Sequence, residues 1–218
     1  MSSSARASSS GASAVAAAAQ PALAVFDLDW TLWPLDVDTH VEAPFSRDAA
    51  TGAVRDRNGR AVRLFADTRR VLQHLRARGV PVAFASRTTD ADAAEQLLKA
   101  FLLFEPGSAA AAAAAEAREG EDLTTLWDLL PSRGHFQAYP SGWGAGSGGR
   151  AKTRHFRELM AAHGLTSHEH IVFYDDAEDN IEVATAAGAT CVLLEDSEGL
   201  TWERFERGLA LWRAKRPR

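Results

Sequence analysis

Residues Ala24 to Thr31 read Ala-Val-Phe-Asp-Leu-Asp-Trp-Thr, so an apolar run ends in two carboxylates, Asp27 and Asp29, set two residues apart. The run Leu23-Ala24-Val25-Phe26 reads as a strand buried on both faces. Unpaired ionised carboxylates are costly to desolvate, so a cation, hydrogen bonds or open water must meet them at the strand's end. In open parallel sheets ligands bind just beyond the carboxyl ends of the strands. Asp27 and Asp29 therefore read as a reaction centre, with one acid to attack and the other to manage protons. A plainer alternative stays open at this point, a turn in which Thr31 caps a helix.

Other strands must bring the remaining chemistry to the same edge. Val80-Pro81-Val82-Ala83-Phe84-Ala85 is a second buried strand followed by Ser86-Arg87-Thr88, and Ile171-Val172-Phe173-Tyr174 is a third, ending in Asp175-Asp176. Thr190 to Leu194 adds a fourth, and Phe136 to Tyr139 a short one. Helices fall between them. One runs from an Asp67 cap to about Arg78, with Gly79 at the left-handed end position; another opens at Thr89 or Asp90 and runs toward Phe101. Lys152 to His163, Asn180 to Ala187 and Thr201 to about Arg213 supply three more, and Leu123 to Leu130 a short one. Strands alternating with helices predict an α/β fold with a doubly wound parallel sheet. Between Val37 and Leu64, the Asn58-Gly59 turn signal predicts a β-hairpin flap. No stretch is long enough for a separate cap domain. The chain has three lysines, and only Lys152 follows a Gly-rich loop and opens a helix near the expected site.

Composition narrows the function. With 218 residues, 46% hydrophobic and 24% charged, the chain suits one sizeable globular domain. A net charge of −5 with scattered arginines gives no footprint for nucleic acid. No apolar run approaches membrane-spanning length, so no membrane partner is expected. The single cysteine, Cys191, lies in a strand pattern and reads as a buried thiol. Residues 1–20 are mostly Ser and Ala and are expected to be a disordered leader. Their lack of acids and Arg6 also suit an organelle transit peptide, although a cytoplasmic location is the first expectation. The main domain is expected over 21–212, with a low-complexity insertion at about 105–149 and a basic tail at 213–218. A monomer is expected.

Taken together, Asp27-Leu28-Asp29-Trp30-Thr31, Ser86, Lys152 and Asp175-Asp176 resemble the haloacid dehalogenase-like superfamily of phosphotransferases. Trp30-Thr31-Leu32-Trp33-Pro34 and Asp38-Thr39-His40-Val41 are similar, more narrowly, to the magnesium-dependent phosphatase 1 family, as are Ala85-Ser86-Arg87-Thr88 and Phe173-Tyr174-Asp175-Asp176 with Asn180-Ile181. The resemblance implies a Mg²⁺-dependent phosphomonoesterase with an aspartyl-phosphate intermediate on Asp27 and Asp29 as acid and base. It implies a metal held by Asp27, the Asp29 carbonyl and Asp176, with Asp175, Asn180 and Thr31 supporting that set. Which of Asp175 and Asp176 touches the metal stays open. Substrate would be held by Ser86, Arg87, Lys152 and the backbone amides near Leu28 and Asp29. Phosphotyrosine-type side chains and sugar phosphates such as fructosamine 6-phosphate are the substrate classes implied. The chemistry stands independently of the family: a phosphate dianion repels carboxylates, and hard Mg²⁺ prefers oxygen ligands and keeps waters. Arg87 also reads as a surface arginine, Trp30 and Trp33 as flap packing, and His40 as a hydrogen-bonded structural residue. Two other readings use the same residues. Phosphomutases need a cap to retain their intermediate, and none is visible here. Phospho-accepting receiver modules place the acid pair first and the acceptor later, whereas the Asp-x-Asp element comes first here.

Overall fold

The computed structural model of the chain describes residues 20–118, 124–140 and 152–215. The expected leader up to residue 19, the Gly-rich run 141–151 and the end of the basic tail lie outside the described residues. Among the described residues, eight strands and six α-helices follow in chain order: β1 (Leu23–Phe26), β2 (Ser46–Arg47), β3 (Val54–Arg55), β4 (Ala61–Val62), α1 (Thr68–Ala77), β5 (Val82–Ser86), α2 (Ala91–Ala100), α3 (Ala109–Arg118), β6 (Phe136–Ala138), α4 (Thr153–His163), β7 (Ile171–Asp175), α5 (Glu178–Ala186), β8 (Thr190–Leu193) and α6 (Trp202–Ala214). Among the described residues no helix is long and apolar enough to cross a membrane.

Five strands form a parallel sheet in the order β6-β5-β1-β7-β8. β1 is central because every one of its residues is apolar and buried, so each face can be covered by helices. Alternation along the strand divides the core. Ala24 and Phe26 face a layer containing Val71, Leu72 and Leu75 of α1, Leu97 and Leu98 of α2, and Phe205 and Leu209 of α6. Leu23 and Val25 face the opposite layer, with Phe156 and Leu159 of α4 and Ala184 of α5. From β1 the chain moves out to β5 and β6, then returns to β7 and β8 on the other side, so a topological switch falls at the carboxyl end of β1.

Three sequence expectations are corrected. The flap is a three-stranded antiparallel sheet of two-residue strands, β2-β3-β4. Its turn is the predicted one, since the Asp56 carboxylate accepts from the amides of Asn58 (2.9 Å) and Arg60 (2.8 Å). Val37 to Val41, however, is a loop and not a hairpin arm. Asp67 precedes α1 but makes no side-chain cap there; its carboxylate accepts from the amide of Trp202 (2.8 Å), in the first turn of α6. The insertion expected at about 105–149 is corrected in extent, since the short strand expected within it at Phe136 to Tyr139 is observed as part of the main sheet. Leu103 N–H donates to Thr124 O (2.8 Å) and Leu126 N–H to Phe101 O (3.0 Å), closing the excursion at its base. Leu126 is buried beyond that base, and β6 forms one edge of the main sheet. The predicted end of α1 is observed, with Gly79 in the left-handed region at φ 65°.

The packing of α6 on β7 turns on one glycine. Tyr174 is buried, stacks on Phe26 (centroids 5.1 Å apart) and donates its hydroxyl to Phe205 O (2.9 Å). A Cβ on Gly208 would lie 2.3 Å from that hydroxyl and 2.8 Å from the ring. In an open helix Gly208→Ala would gain about 1 kcal/mol of propensity. Here the rigid ring must move, and overpacking of this kind costs about 1–3 kcal/mol. Gly208→Ala is therefore expected to lower Tm by several degrees in a thermal melt; an unchanged or raised Tm would show that the helix and sheet can separate freely.

Candidate active site

Parallel pairing aligns the strand ends. Phe26 sits beside Phe84 of β5 and Tyr174 of β7, so Asp27, Ser86 and Asp175 emerge on one edge. Asp27 N–H donates to Tyr174 O (3.0 Å), which continues the ladder one residue past β1. The chain then folds back. Leu32 N–H donates to Leu28 O (2.7 Å), Trp30 N–H donates to Trp33 O (2.9 Å), and Trp30 takes a left-handed φ of 56°. A bulky residue rarely adopts that backbone, which marks a locally strained turn. The turn points Asp29 back at the sheet edge. Asp29 Oδ1 accepts from the Trp33 indole (2.7 Å) and the Val37 amide (3.2 Å), while its second oxygen takes no hydrogen bond among the described residues.

Lys152, immediately before α4, is 1% exposed and reaches under this edge. Its Nζ donates to Asp27 Oδ1 and to Asp175 Oδ2, the latter at 2.6 Å. Asp175 is fully committed elsewhere as well: Asn180 Nδ2 donates to both of its oxygens (2.9 and 3.1 Å), and the Ala177 amide to Oδ1 (2.8 Å). Asn180 Oδ1 in turn accepts from the Lys152 amide (3.2 Å). An open cleft of about 170 Å³ lies above these groups, lined by Asp27, Asp29, Trp30, Asp36, Asp38, Ser86, Arg87, Thr88, Asp176, Ala177 and Asn180. Two larger grooves, about 530 and 350 Å³, run beside Leu102 and Pro106 at the flap, away from the acids.

Burial pushes the Asp27 carboxyl well above the ordinary carboxylate range, against the pull of Lys152, with Asp175, Asp176 and Asp29 pushing the same way as burial. Burial also raises Asp29 to about 7, although Trp33 and Val37 favour its ionised form. Asp176 is raised to about 6, by burial and then by Asp175. For Lys152 burial works to depress the ammonium, but Asp175 and Asp27 more than offset it. Four carboxyl groups thus crowd this edge while the Lys152 ammonium is bonded to two of them, Asp27 and Asp175, so the cluster is short of positive charge.

Asp27, Asp29, Ser86, Arg87, Asp176 and Asn180 meet at the cleft, and Leu28 is buried behind it. Lys152 does not line the cleft; it sits beneath Asp27. Arg87 stands at the lip in an ion pair with Asp179 (2.8 Å). Trp33 is buried and holds Asp29, Trp30 lines the cleft, and His40 accepts the Asp36 amide (2.8 Å) in a structural role. The Thr31 hydroxyl, expected to support the acids, is buried with no partner among the described residues; Thr31 acts through its backbone, accepting from Leu200 N–H (3.0 Å). Asp36, Asp38 and Thr88 were missed as cleft-lining residues. Their signal was their place in the loops right after Asp29 and Ser86.

As to metal, Asp175 has its oxygens occupied, whereas Asp176 faces the cleft beside Asp27. Among the described residues no three His, Cys, Asp or Glu side chains form a ready-made cage. The expected set needs only two carboxylates and a backbone carbonyl, an open arrangement that suits a cation keeping several waters.

A family model described as acid phosphatase matches residues 19–215. The chain is 34% identical over 189 residues to human magnesium-dependent phosphatase 1, spanning 87% of this chain and 85% of that protein. It is 33% identical over 164 residues to a HAD-like hydrolase superfamily protein of Schizosaccharomyces pombe, spanning 75% of this chain and 80% of that one. With a match running from before β1 to the end of α6, this chain belongs to the acid phosphatase family, among the haloacid dehalogenase-like hydrolases.

Proposed function

We propose that this protein is a Mg²⁺-dependent phosphomonoesterase that works through an aspartyl-phosphate on Asp27. The observation that carries the reading is the seat of Asp27: its carboxylate is fixed from beneath by Lys152 and faces a cleft that it shares with Asp29 and Asp176. Support also comes from the name of the human relative, a magnesium-dependent phosphatase.

Asp27, the Asp29 carbonyl and Asp176 would hold the metal, where its positive charge offsets the surplus of carboxylates. Bound there, Mg²⁺ would supply Lewis-acid stabilisation of phosphoryl charge. The protein's own groups do the rest. Lys152 holds the Asp27 rotamer so that one oxygen is presented in line with phosphorus. Asp27 attacks, the bond from phosphorus to the leaving oxygen breaks, and Asp29 gives its proton to that oxygen. Burial raises Asp29 to about 7, so a share of the protein carries this proton at neutral pH. Water then attacks phosphorus, Asp29 takes its proton, and Asp27 is regenerated with release of phosphate. Ser86 Oγ accepts the Thr88 amide (3.1 Å), which leaves its own hydrogen free to donate to a phosphoryl oxygen alongside the amides near Leu28 and Asp29. At the mouth, Trp30 offers a flat wall to an aryl group such as phosphotyrosine, Asp36 and Asp38 can accept from sugar hydroxyls, and Arg87 stands at the lip.

Asp27→Asn is expected to lower kcat on p-nitrophenyl phosphate by at least about a thousandfold; turnover at the wild-type level would remove Asp27 as nucleophile. For Asp29→Asn the leaving group discriminates. Its kcat/KM, which reports formation of the phosphoenzyme, should fall about 10²–10⁴-fold on a sugar phosphate and much less on p-nitrophenyl phosphate, whose leaving group needs no proton. Equal losses on both substrates would rule out general-acid help. Removing divalent ions with EDTA should abolish turnover and added Mg²⁺ should restore it, which a steady-state assay reads directly; persistent activity in EDTA would contradict a metal role.

A further inference from the structure

His155 lies in the first turn of α4, three residues after Lys152, and is 1% exposed. Its Nε2 is 2.8 Å from Ser86 O and 3.1 Å from Tyr139 O. Both partners are carbonyl oxygens, which only accept, so Nε2 must carry the hydrogen. Nδ1 is then a bare lone pair, and it is buried without a partner among the described residues. The ring stacks on Tyr139 at 4.2 Å, nearly parallel. Burial, followed by the nearby Lys152 charge, holds the imidazole down to about 4, so the ring is neutral around pH 7.

That single N–H joins three elements. Ser86 ends β5, Tyr139 follows β6 and donates its own amide to Ser86 O (3.2 Å), and His155 belongs to the helix that Lys152 begins. Without it, the Tyr139 carbonyl would lose this donor and Ser86 O would be left with the Tyr139 amide, while Lys152 would still tie the start of α4 to Asn180, Asp27 and Asp175. Leaving a donor unmade is costly inside a protein, and so is leaving the acceptors bare. The burial of a half-satisfied histidine at this junction therefore calls for a reason beyond packing.

We propose that His155 is a positioning residue for phosphoryl transfer: its Nε2–H ties the Ser86 and Tyr139 carbonyls to the start of α4 and so holds the Ser86 hydroxyl and the Lys152 ammonium on one frame. This role rests on the phosphatase reading of Ser86 and Lys152 given above. Its mark is a loss in kcat at nearly constant KM, because what moves is the pair of groups that meet phosphoryl charge and fix the nucleophile. Displacements of about 1 Å in such groups can cost about a hundredfold in rate.

Three substitutions separate the N–H from the bulk of the ring. Gln reaches with an amide N–H₂ to the place of Nε2, Asn stops short of it, and Met fills the space without a donor. Each variant is assayed with p-nitrophenyl phosphate and Mg²⁺, with rates corrected for the folded fraction by circular dichroism. His155→Met and His155→Asn are expected to lose at least about tenfold in kcat with KM changed less than about threefold, and His155→Gln to stay within about threefold of wild type in both. Wild-type kcat in a folded Met or Asn variant would overturn the role, as would a Gln variant as impaired as Met. Failure of the Met and Asn variants to fold would assign His155 to stability alone and overturn it too. Wild-type protein without turnover would instead refute the phosphatase reading, and this role with it.

Discussion

One ammonium group, Lys152 Nζ, lies between two buried carboxylates, Asp27 and Asp175, at the carboxyl end of the sheet. A buried charge that loses its partner typically costs about 3–5 kcal/mol, so none of the three can be placed without the others. The rest of the edge follows from that constraint. Asn180 closes the remaining oxygens of Asp175 and also takes the Lys152 amide, which docks the start of α5 to the start of α4. Asp176, next in the chain, is left facing outward. A sheet with the same strands but no cation at this point would have to protonate its acids or open to water.

Topology makes the meeting possible. Because β1 is flanked by β5 and β7 in parallel register, residues about sixty and one hundred and fifty positions away arrive at the same edge of the sheet without any local sequence signal. The left-handed turn at Trp30 and the Trp33 indole then hold Asp29 apart from the Lys152 network. Two carboxylates two residues apart consequently sit in different surroundings. Asp27 is bonded to an ammonium, whereas Asp29 is held by neutral donors in a half-dry site, and environments that differ in this way are how one acid becomes a nucleophile and its neighbour a proton carrier.

The strand positions and the acids at their ends were legible because buried parallel strands are unbroken apolar runs, and carboxylates after such runs are conspicuous. Lys152 stood out for a compositional reason, as a rare lysine at a helix start, yet nothing local indicated that it would point beneath Asp27 and not into the cleft. Asp67 shows the limit of capping rules: the residue type was right, but a tertiary neighbour, the Trp202 amide, claimed the carboxylate. The two-residue flap strands are too short for alternation to register. Between a low-complexity tract and a Gly-rich run, the short strand expected at Phe136 to Tyr139 is observed as β6, while of the helix expected over Leu123 to Leu130 the described residues form one 3₁₀ turn at Trp127–Leu129. His155 carries no local signal, since a donor to two distant carbonyls has no sequence spacing at all.

The central claim is that Asp27 becomes the phosphorylated group, and the most direct test is to catch it there. Asp29→Asn protein, in which hydrolysis of the intermediate is slowed, would be mixed with Mg²⁺ and p-nitrophenyl phosphate, quenched in acid, reduced with borohydride and digested for mass spectrometry. Reduction converts an aspartyl-phosphate to homoserine, and the expected result is homoserine at position 27 alone. Conversion at another aspartate, or none under conditions where p-nitrophenol is released in a stoichiometric burst, would contradict the account.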